Sequence, residues 1–262
     1  MSAIHPSSEF NQTAAAHDHD EEMPKVPWGY VFLATALLAV VAVIYRWYQQ
    51  NYSFTVGLDY FEPEFQTYWM NLLWAQLVLI TVVGAIAVPA LWFTRDKNIH
   101  LISPREELNR YYWMLGLMAG GSILVLIALA IFTEADAAWH QVTIRDTDFT
   151  PTHIALFYFW IPLLAVGLIL GFIWIHTRLP DYSNRISRPM AILAAGPILI
   201  MPNLGLNEWG HTFFYAEELF AAPIHWGFVT LAWAVFAMGG FLLQCLNRIR
   251  TLSTLPADAP AK

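Results

Sequence analysis

The chain carries long uninterrupted blocks of apolar residues, and they constrain its fold more than any other feature. Each block approaches the roughly 20 residues that a helix needs to cross a hydrocarbon core of about 30 Å. Six segments are recognised: Trp28 to about Tyr48, Tyr68 to about Phe93, Tyr111 to Phe132, Ile154 to His176, Met190 to about Leu206, and Ala222 to about Leu246. Charged side chains make up only 13% of the sequence, against about 25% in soluble domains. The sequence predicts an all-α integral membrane protein, a bundle of about six transmembrane helices.

The distribution of charges predicts the orientation of this bundle. The connections after the second, fourth and sixth segments contain the basic residues Arg95, Lys97, Arg105, Arg110, Arg178, Arg185, Arg188, Arg248 and Arg250. The other connections contain the acidic residues Asp59, Glu62, Glu64, Glu134, Asp136, Asp146, Asp148, Glu208, Glu217 and Glu218. Because cytoplasmic loops carry the excess of Lys and Arg, we expect the basic connections and both termini in the cytoplasm and acidic loops in the periplasm.

The segment boundaries predict three regions. Residues 1–27 form an acidic, flexible cytoplasmic tail without the features of a secretory signal. Residues 28–247 form the transmembrane helical domain, and residues 248–262 form a cytoplasmic C-terminal tail. Within the third segment, Gly116 and Gly120 have the small-xxx-small spacing that permits close helix approach, although glycine is also simply common in membrane helices.

Composition excludes several classes of function. Cys245 is the single cysteine, so the chain can form neither an internal disulfide nor a thiolate cluster for a metal. The net charge of -7 argues against a nucleic-acid partner, because nucleic-acid binding depends on a basic surface. A metal site in this chain must therefore use imidazole together with carboxylate or amide oxygens.

Two stretches share the same pattern of such donors. Asp136 and His140 are four residues apart, and His153 follows His140 by 13 positions. Asn207, His211 and His225 repeat the pattern, with 14 positions between the two histidines. All six residues are expected at the outer membrane surface.

Residues four apart on a helix share a face, so two side chains can meet one ion and an imidazole from the next helix can complete the site. Such a donor set suits copper, zinc or iron. A single histidine at this depth is more often an interfacial polar residue, but two matched sets on one side favour metal binding.

The residues between and around these donors resemble a known family. The stretches Trp139–His153, Pro202–His211 and Glu217–His225 resemble the C subunit of the copper membrane monooxygenases, which include particulate methane monooxygenase, ammonia monooxygenase and short-chain hydrocarbon relatives. Shorter matches are Gly57–Phe65, Tyr68–Met70, Thr94–Asp96 and Pro104–Glu107, and the resemblance covers about residues 45–240. It implies two copper sites. The first would be formed by Asp136, His140 and His153, and the second by Asn207, His211 and His225.

The resemblance also implies an activity and its partners. The resemblance implies insertion of one oxygen atom of O2 into a C–H or N–H bond, with quinol as the electron donor. Its C subunit works with A-type and B-type subunits in a trimer of heterotrimers, within the lipids of a bacterial inner or intracytoplasmic membrane, and the metal sites face the periplasm. The sequence leaves methane, ammonia and short alkanes open as the substrate.

Ligand chemistry predicts different roles for the two sites. The Asp136 carboxylate favours Cu(II), whereas Asn207 supplies only a neutral oxygen and favours Cu(I). We therefore expect Asn207, His211 and His225 to form the catalytic, oxygen-activating centre. Two alternatives remain open at this point: a proton- or ion-translocating membrane protein, and a non-catalytic subunit whose metal ions only brace its outer loops.

Overall fold

All regular secondary structure in the described part of the protein is helical. The computed structural model describes residues 26, 28–142, 149–196 and 236–256, apart from the side chains of residues 125, 126, 129, 140 and 141. The main helices are α1 (Trp28–Tyr52), α2 (Pro63–Phe93), α3 (Pro104–Val142), α4 (Pro151–Arg178), α5 (188–196) and α6 (Phe236–Leu252). A short helical turn, Pro180–Ser183, lies between α4 and α5. No strand occurs within these residues, which agrees with the predicted all-α class.

Three described helices are long and apolar enough to cross a membrane. They are α1, α2 and α4, with 25, 31 and 28 residues, and they coincide with the first, second and fourth predicted segments. The third predicted segment lies wholly inside α3. Most of the fifth and sixth segments fall in residues 197–235, outside the described part. The protein is thus a multi-pass membrane protein, and the full set of six spans stays a prediction.

Helix α3 extends further than the sequence pattern indicated. Glu134 and Asp136 were expected in an acidic loop after Phe132, but α3 continues without interruption to Val142. The reason is local composition: this stretch is rich in alanine, and neither glycine nor proline occurs between Ser122 and Thr150. Asp136 therefore stands on a regular helix rather than on a loop.

Two glycines of α3 lie close to α1 and to Val26, just before α1 begins. A Cβ atom added to Gly120 would lie 2.7 Å from Cγ1 of Val31, and one added to Gly116 would lie 2.5 Å from Cγ1 of Val26. Both separations are shorter than real Cβ contacts, so a larger residue at either position would require the facing valine side chain to move. Of the two interpretations of the small-xxx-small pattern, the structure supports close packing.

The basic connections meet at one end of the bundle. Arg110 Nη2 lies 3.0 Å from Asp96 Oδ2, and Arg110 Nη1 donates a hydrogen bond to the carbonyl oxygen of Arg178 at 2.7 Å. In the same region Arg248 of α6 pairs with Glu107 of α3. The ends of α2, α4 and α6 therefore converge with the start of α3, as expected if all of them face the same side of the membrane.

The opposite end of the bundle brings the first connection together with the end of α3. Arg46 Nη2 lies 3.0 Å from Glu134 Oε2. The buried indole of Trp139 donates from Nε1 to the carbonyl oxygen of Ser53 at 2.6 Å. These two contacts fix the end of α3 against α1, and the start of α4 packs beside them.

Candidate metal centre

His153, one of the two histidines of the first predicted donor set, lies in the first turn of α4. Pro151 occupies the N1 position of this helix, where its missing N–H group costs nothing. Thr150 is the N-cap, and its Oγ1 accepts a hydrogen bond from the backbone N–H of His153 at 3.3 Å. This cap starts the helix at a defined residue and thereby fixes where the imidazole emerges.

Asp136 and His153 face each other across two helices. Asp136 Oδ2 lies 3.4 Å from His153 Nε2, and the two side chains are only 16% and 12% exposed. The edge of the imidazole packs against Phe157, with the ring centroids 5.0 Å apart. A carboxylate and an imidazole are thus held together in a largely dry environment.

The measured separation fits a shared metal ion. Donor atoms that each lie about 2.0–2.2 Å from one ion, at angles between square-planar and tetrahedral, are roughly 2.8–3.6 Å apart. The distance of 3.4 Å between Oδ2 and Nε2 falls within this range. Imidazole with carboxylate is also a donor set that copper, zinc and iron accept. The two residues therefore fit a metal ion without rearrangement, although a direct ion pair would have similar geometry.

The third predicted ligand of this set is described only through its backbone. His140 lies one helical turn after Asp136 in α3, on the same face by helical register, and its side chain is outside the described part. Among the side chains that the structure describes, no group of three or more His, Cys, Asp or Glu could hold a metal ion. The structure therefore unites two of the three predicted donors.

The second predicted donor set lies outside the described residues. Asn207, His211 and His225 all fall within residues 197–235. The assignment of a second metal site, and of its catalytic role, remains a prediction from the sequence.

A buried amide that the sequence analysis did not single out supports the first site. Gln76, near the middle of the second apolar segment, is 4% exposed. Its Nε2 donates to the carbonyl oxygen of Ile154 at 2.8 Å, and its Oε1 accepts from the hydroxyl of Tyr45 at 2.8 Å. The available signal was the presence of an amide within an apolar span, because polar groups at that depth are costly and are usually retained for a reason.

Comparison with known proteins identifies the family. A family model for the C subunit of ammonia monooxygenase/methane monooxygenase matches residues 11–255, which is more of the chain than the resemblance about residues 45–240 had covered. No curated protein matches the chain. Because the family model spans nearly the whole sequence, the protein belongs to the family of the C subunits of ammonia monooxygenase and methane monooxygenase.

Proposed function

We propose that this chain is the C subunit of a copper-dependent monooxygenase that inserts one oxygen atom from O2 into methane, ammonia or a short-chain hydrocarbon. Family membership supports a role as a subunit of the membrane monooxygenase complex, beside its other subunits. The finer elements of the proposal are copper, a trimer of heterotrimers with A-type and B-type subunits, quinol as the electron donor, six spans with acidic periplasmic loops, and a bacterial inner or intracytoplasmic membrane.

One contact carries the copper part of the proposal: the 3.4 Å approach of Asp136 Oδ2 to His153 Nε2. Asp136, His140 and His153 would hold the ion, and copper would supply the redox chemistry when bound. The chain's own contribution is to place the donors. The regular helix α3 fixes Asp136, the Thr150 cap fixes the first turn of α4, and burial of both side chains excludes bulk water from the pair.

For the second site we propose Asn207, His211 and His225 as copper ligands and as the centre that activates oxygen. The support is the repeated sequence spacing and the neutral oxygen of Asn207, which suits the reduced metal. The Asp136 site would then hold copper in a supporting role.

Metal analysis with EPR on the purified membrane complex tests the proposal. Asp136→Ala should remove one copper per copy of this chain. The matched control is Glu134→Ala, because Glu134 is a carboxylate two positions away that pairs with Arg46 and is 67% exposed. The control should retain all of its copper.

Activity assays separate the roles of the two sites. Product formation from methane, ethane and ammonia should be lost in the Asn207→Ala, His211→Ala double variant while the complex stays assembled. Full activity in that double variant, together with none in Asp136→Ala, would reverse the assignment. Zinc or iron in place of copper would overturn the cofactor.

A non-catalytic bracing role is the alternative that a specific observation favours, because the Asp136–His153 contact already joins α3 to α4 as an ion pair would. This alternative predicts that both site variants retain activity whenever the complex assembles.

A further inference from the structure

Gln76 is a buried polar side chain whose presence in an apolar helix requires an explanation. It belongs to α2, one of the three helices suited to span the membrane, and is 4% exposed. Burial of an amide without hydrogen bonds costs about 1–3 kcal/mol. The structure supplies those bonds from two other helices, Tyr45 of α1 and Ile154 of α4. Gln76 thus links three helices at a single point.

The orientation of this amide has one consistent solution. The carbonyl oxygen of Ile154 can only accept, so the Nε2 group of Gln76 must face it. The Oε1 atom then faces Tyr45, whose hydroxyl must donate. Tyr45 therefore fixes the rotation of the amide that holds Ile154, and the three groups form a directional chain from α1 to α4.

Ile154 directly follows His153 in the first turn of α4. Two side-chain hydrogen bonds add to the backbone bond from the Ile154 N–H to the Thr150 carbonyl oxygen in this turn: Thr150 Oγ1 accepts from the His153 N–H, and Gln76 Nε2 donates to the Ile154 carbonyl. Immediately afterwards the helix widens into a π-helical turn, Leu156–Trp160, in which the N–H of Ile161 bonds to the carbonyl of Leu156. Such turns often occur at functional sites.

We propose that Gln76, oriented by Tyr45, is a positioning residue that holds His153 opposite Asp136 for metal binding. The inference rests on the proposed function of the Asp136–His153 site. Without the bond to Ile154, the first turn of α4 keeps its N-cap and its backbone hydrogen bonds but loses the side-chain hydrogen bond that ties it to α2, so Nε2 of His153 can move away from its 3.4 Å separation from Asp136. Outer hydrogen-bond partners of metal ligands commonly change metal affinity by about 10–100-fold.

The test uses the purified complex loaded with copper and challenged with a chelator. The variant is Gln76→Met, which keeps the length of the side chain and removes the amide. The matched control is Gln244→Met in α6. Gln244, like Gln76, makes two hydrogen bonds through its amide, but it accepts both, from Tyr182 and Ser187, and it lies at the other end of the bundle. The Tm values of the two variants show whether both substitutions lower the stability of the complex by the same amount.

We expect the chelator to remove the Asp136-dependent copper from Gln76→Met at least about 10-fold faster than from the unmodified complex. The Cu(II) EPR parameters of that site should also shift. Gln244→Met should change neither. In metal-free complex, hydrogen exchange of a peptide containing residues 150–158 should also be faster in Gln76→Met. Tyr45→Phe should produce a smaller effect of about 2–5-fold and add nothing in the Gln76→Met background, because Tyr45 acts through the amide.

Copper release within about 2-fold of the unmodified complex, or equal release from Gln76→Met and Gln244→Met, would overturn the inference while leaving the proposed function intact. Failure of the proposed metal site itself would appear in a different measurement, the copper content of Asp136→Ala. Asp136→Ala would then lose no copper, and the positioning role would fall with it.

Discussion

The buried ion pair between Glu107 and Arg248 gives the sharpest quantitative prediction. Arg248 Nε and Nη2 lie 2.8 and 2.7 Å from the two carboxylate oxygens of Glu107, so the pair is bidentate. The Glu107 side chain is 4% exposed and that of Arg248 27%. The hydrogen bonds that Arg248 donates to the Glu107 carboxylate raise the pKa of Arg248, because they stabilise the charged guanidinium. The contact joins the start of α3 to the end of α6.

Removal of one partner leaves the other without compensation. Loss of one member of a buried pair costs about 3–5 kcal/mol, and the partial exposure of Arg248 places this pair near 3 kcal/mol. Arg248→Met should lower the free energy of unfolding by the full amount of about 3 kcal/mol, because the Glu107 charge stays buried without a partner. Glu107→Gln should cost about 1–2 kcal/mol, since an unpaired Arg248 can reach water. Glu106→Gln is the matched control: its carboxylate is 50% exposed in a pair with Arg110, so the change should cost under about 0.5 kcal/mol.

Thermal unfolding of the purified complex measures these differences. One kcal/mol corresponds to about 2–4 °C for a chain of this size, so Arg248→Met should lower the Tm by about 6–12 °C and Glu106→Gln by less than about 2 °C. The double variant Glu107→Gln with Arg248→Met should be less destabilised than the sum of the single changes, because the second change removes the unpaired charge. Equal shifts for Glu107→Gln and Glu106→Gln would refute the reasoning.

Two further predictions concern helix packing and the metal centre. Gly120→Ala should lower stability by about 1–3 kcal/mol relative to Gly121→Ala, because an added Cβ would meet Val31 at 2.7 Å at position 120 and nothing within 4 Å at position 121. Thermal unfolding measures the difference, and equal shifts in Tm for the two variants would contradict the prediction. Thr150→Val should cost about 1 kcal/mol by removing the N-cap of α4 and should speed hydrogen exchange there. Thr133→Val is the control, because that buried hydroxyl has no hydrogen-bond partner within the described part of the chain, so exchange as fast in the control would contradict the prediction.

The sequence predicted those parts of the fold that depend on local composition. Apolar length alone located α1, α2 and α4, because a span has to match the thickness of the bilayer. The distribution of arginines correctly predicted that the ends of α2, α4 and α6 lie at the same end of the bundle, because Lys and Arg are concentrated in the connections on one side of a membrane. The four-residue spacing of Asp136 and His140 fits the one helical face on which α3 places them, although the charge pattern had put Asp136 in a loop.

The remaining features depend on contacts between residues distant in the chain. Glu107 and Arg248 are 141 positions apart, and Gln76 and Ile154 are 78 apart, so no local pattern pairs them. The extension of α3 through Asp136 was missed for another reason: acidic residues after an apolar block resemble a loop, although the alanines among them favour helix. The approach of Asp136 to His153 was thus predictable from the sequence, whereas the groups that hold these two side chains in place were not.

The length of α3 sets the depth at which an ion would sit. Asp136 stands four residues beyond the last residue of the apolar stretch, Phe132, which is about 6 Å along a helix. In the proposed orientation, that height would lie near the phospholipid headgroups of the periplasmic face. An ion bound there would equilibrate with the adjacent aqueous compartment without permeating the acyl chains. In that orientation, occupancy would follow the supply of free metal in the periplasm, and a chelator that does not cross the inner membrane would remove the ion while cytoplasmic metal stayed unchanged.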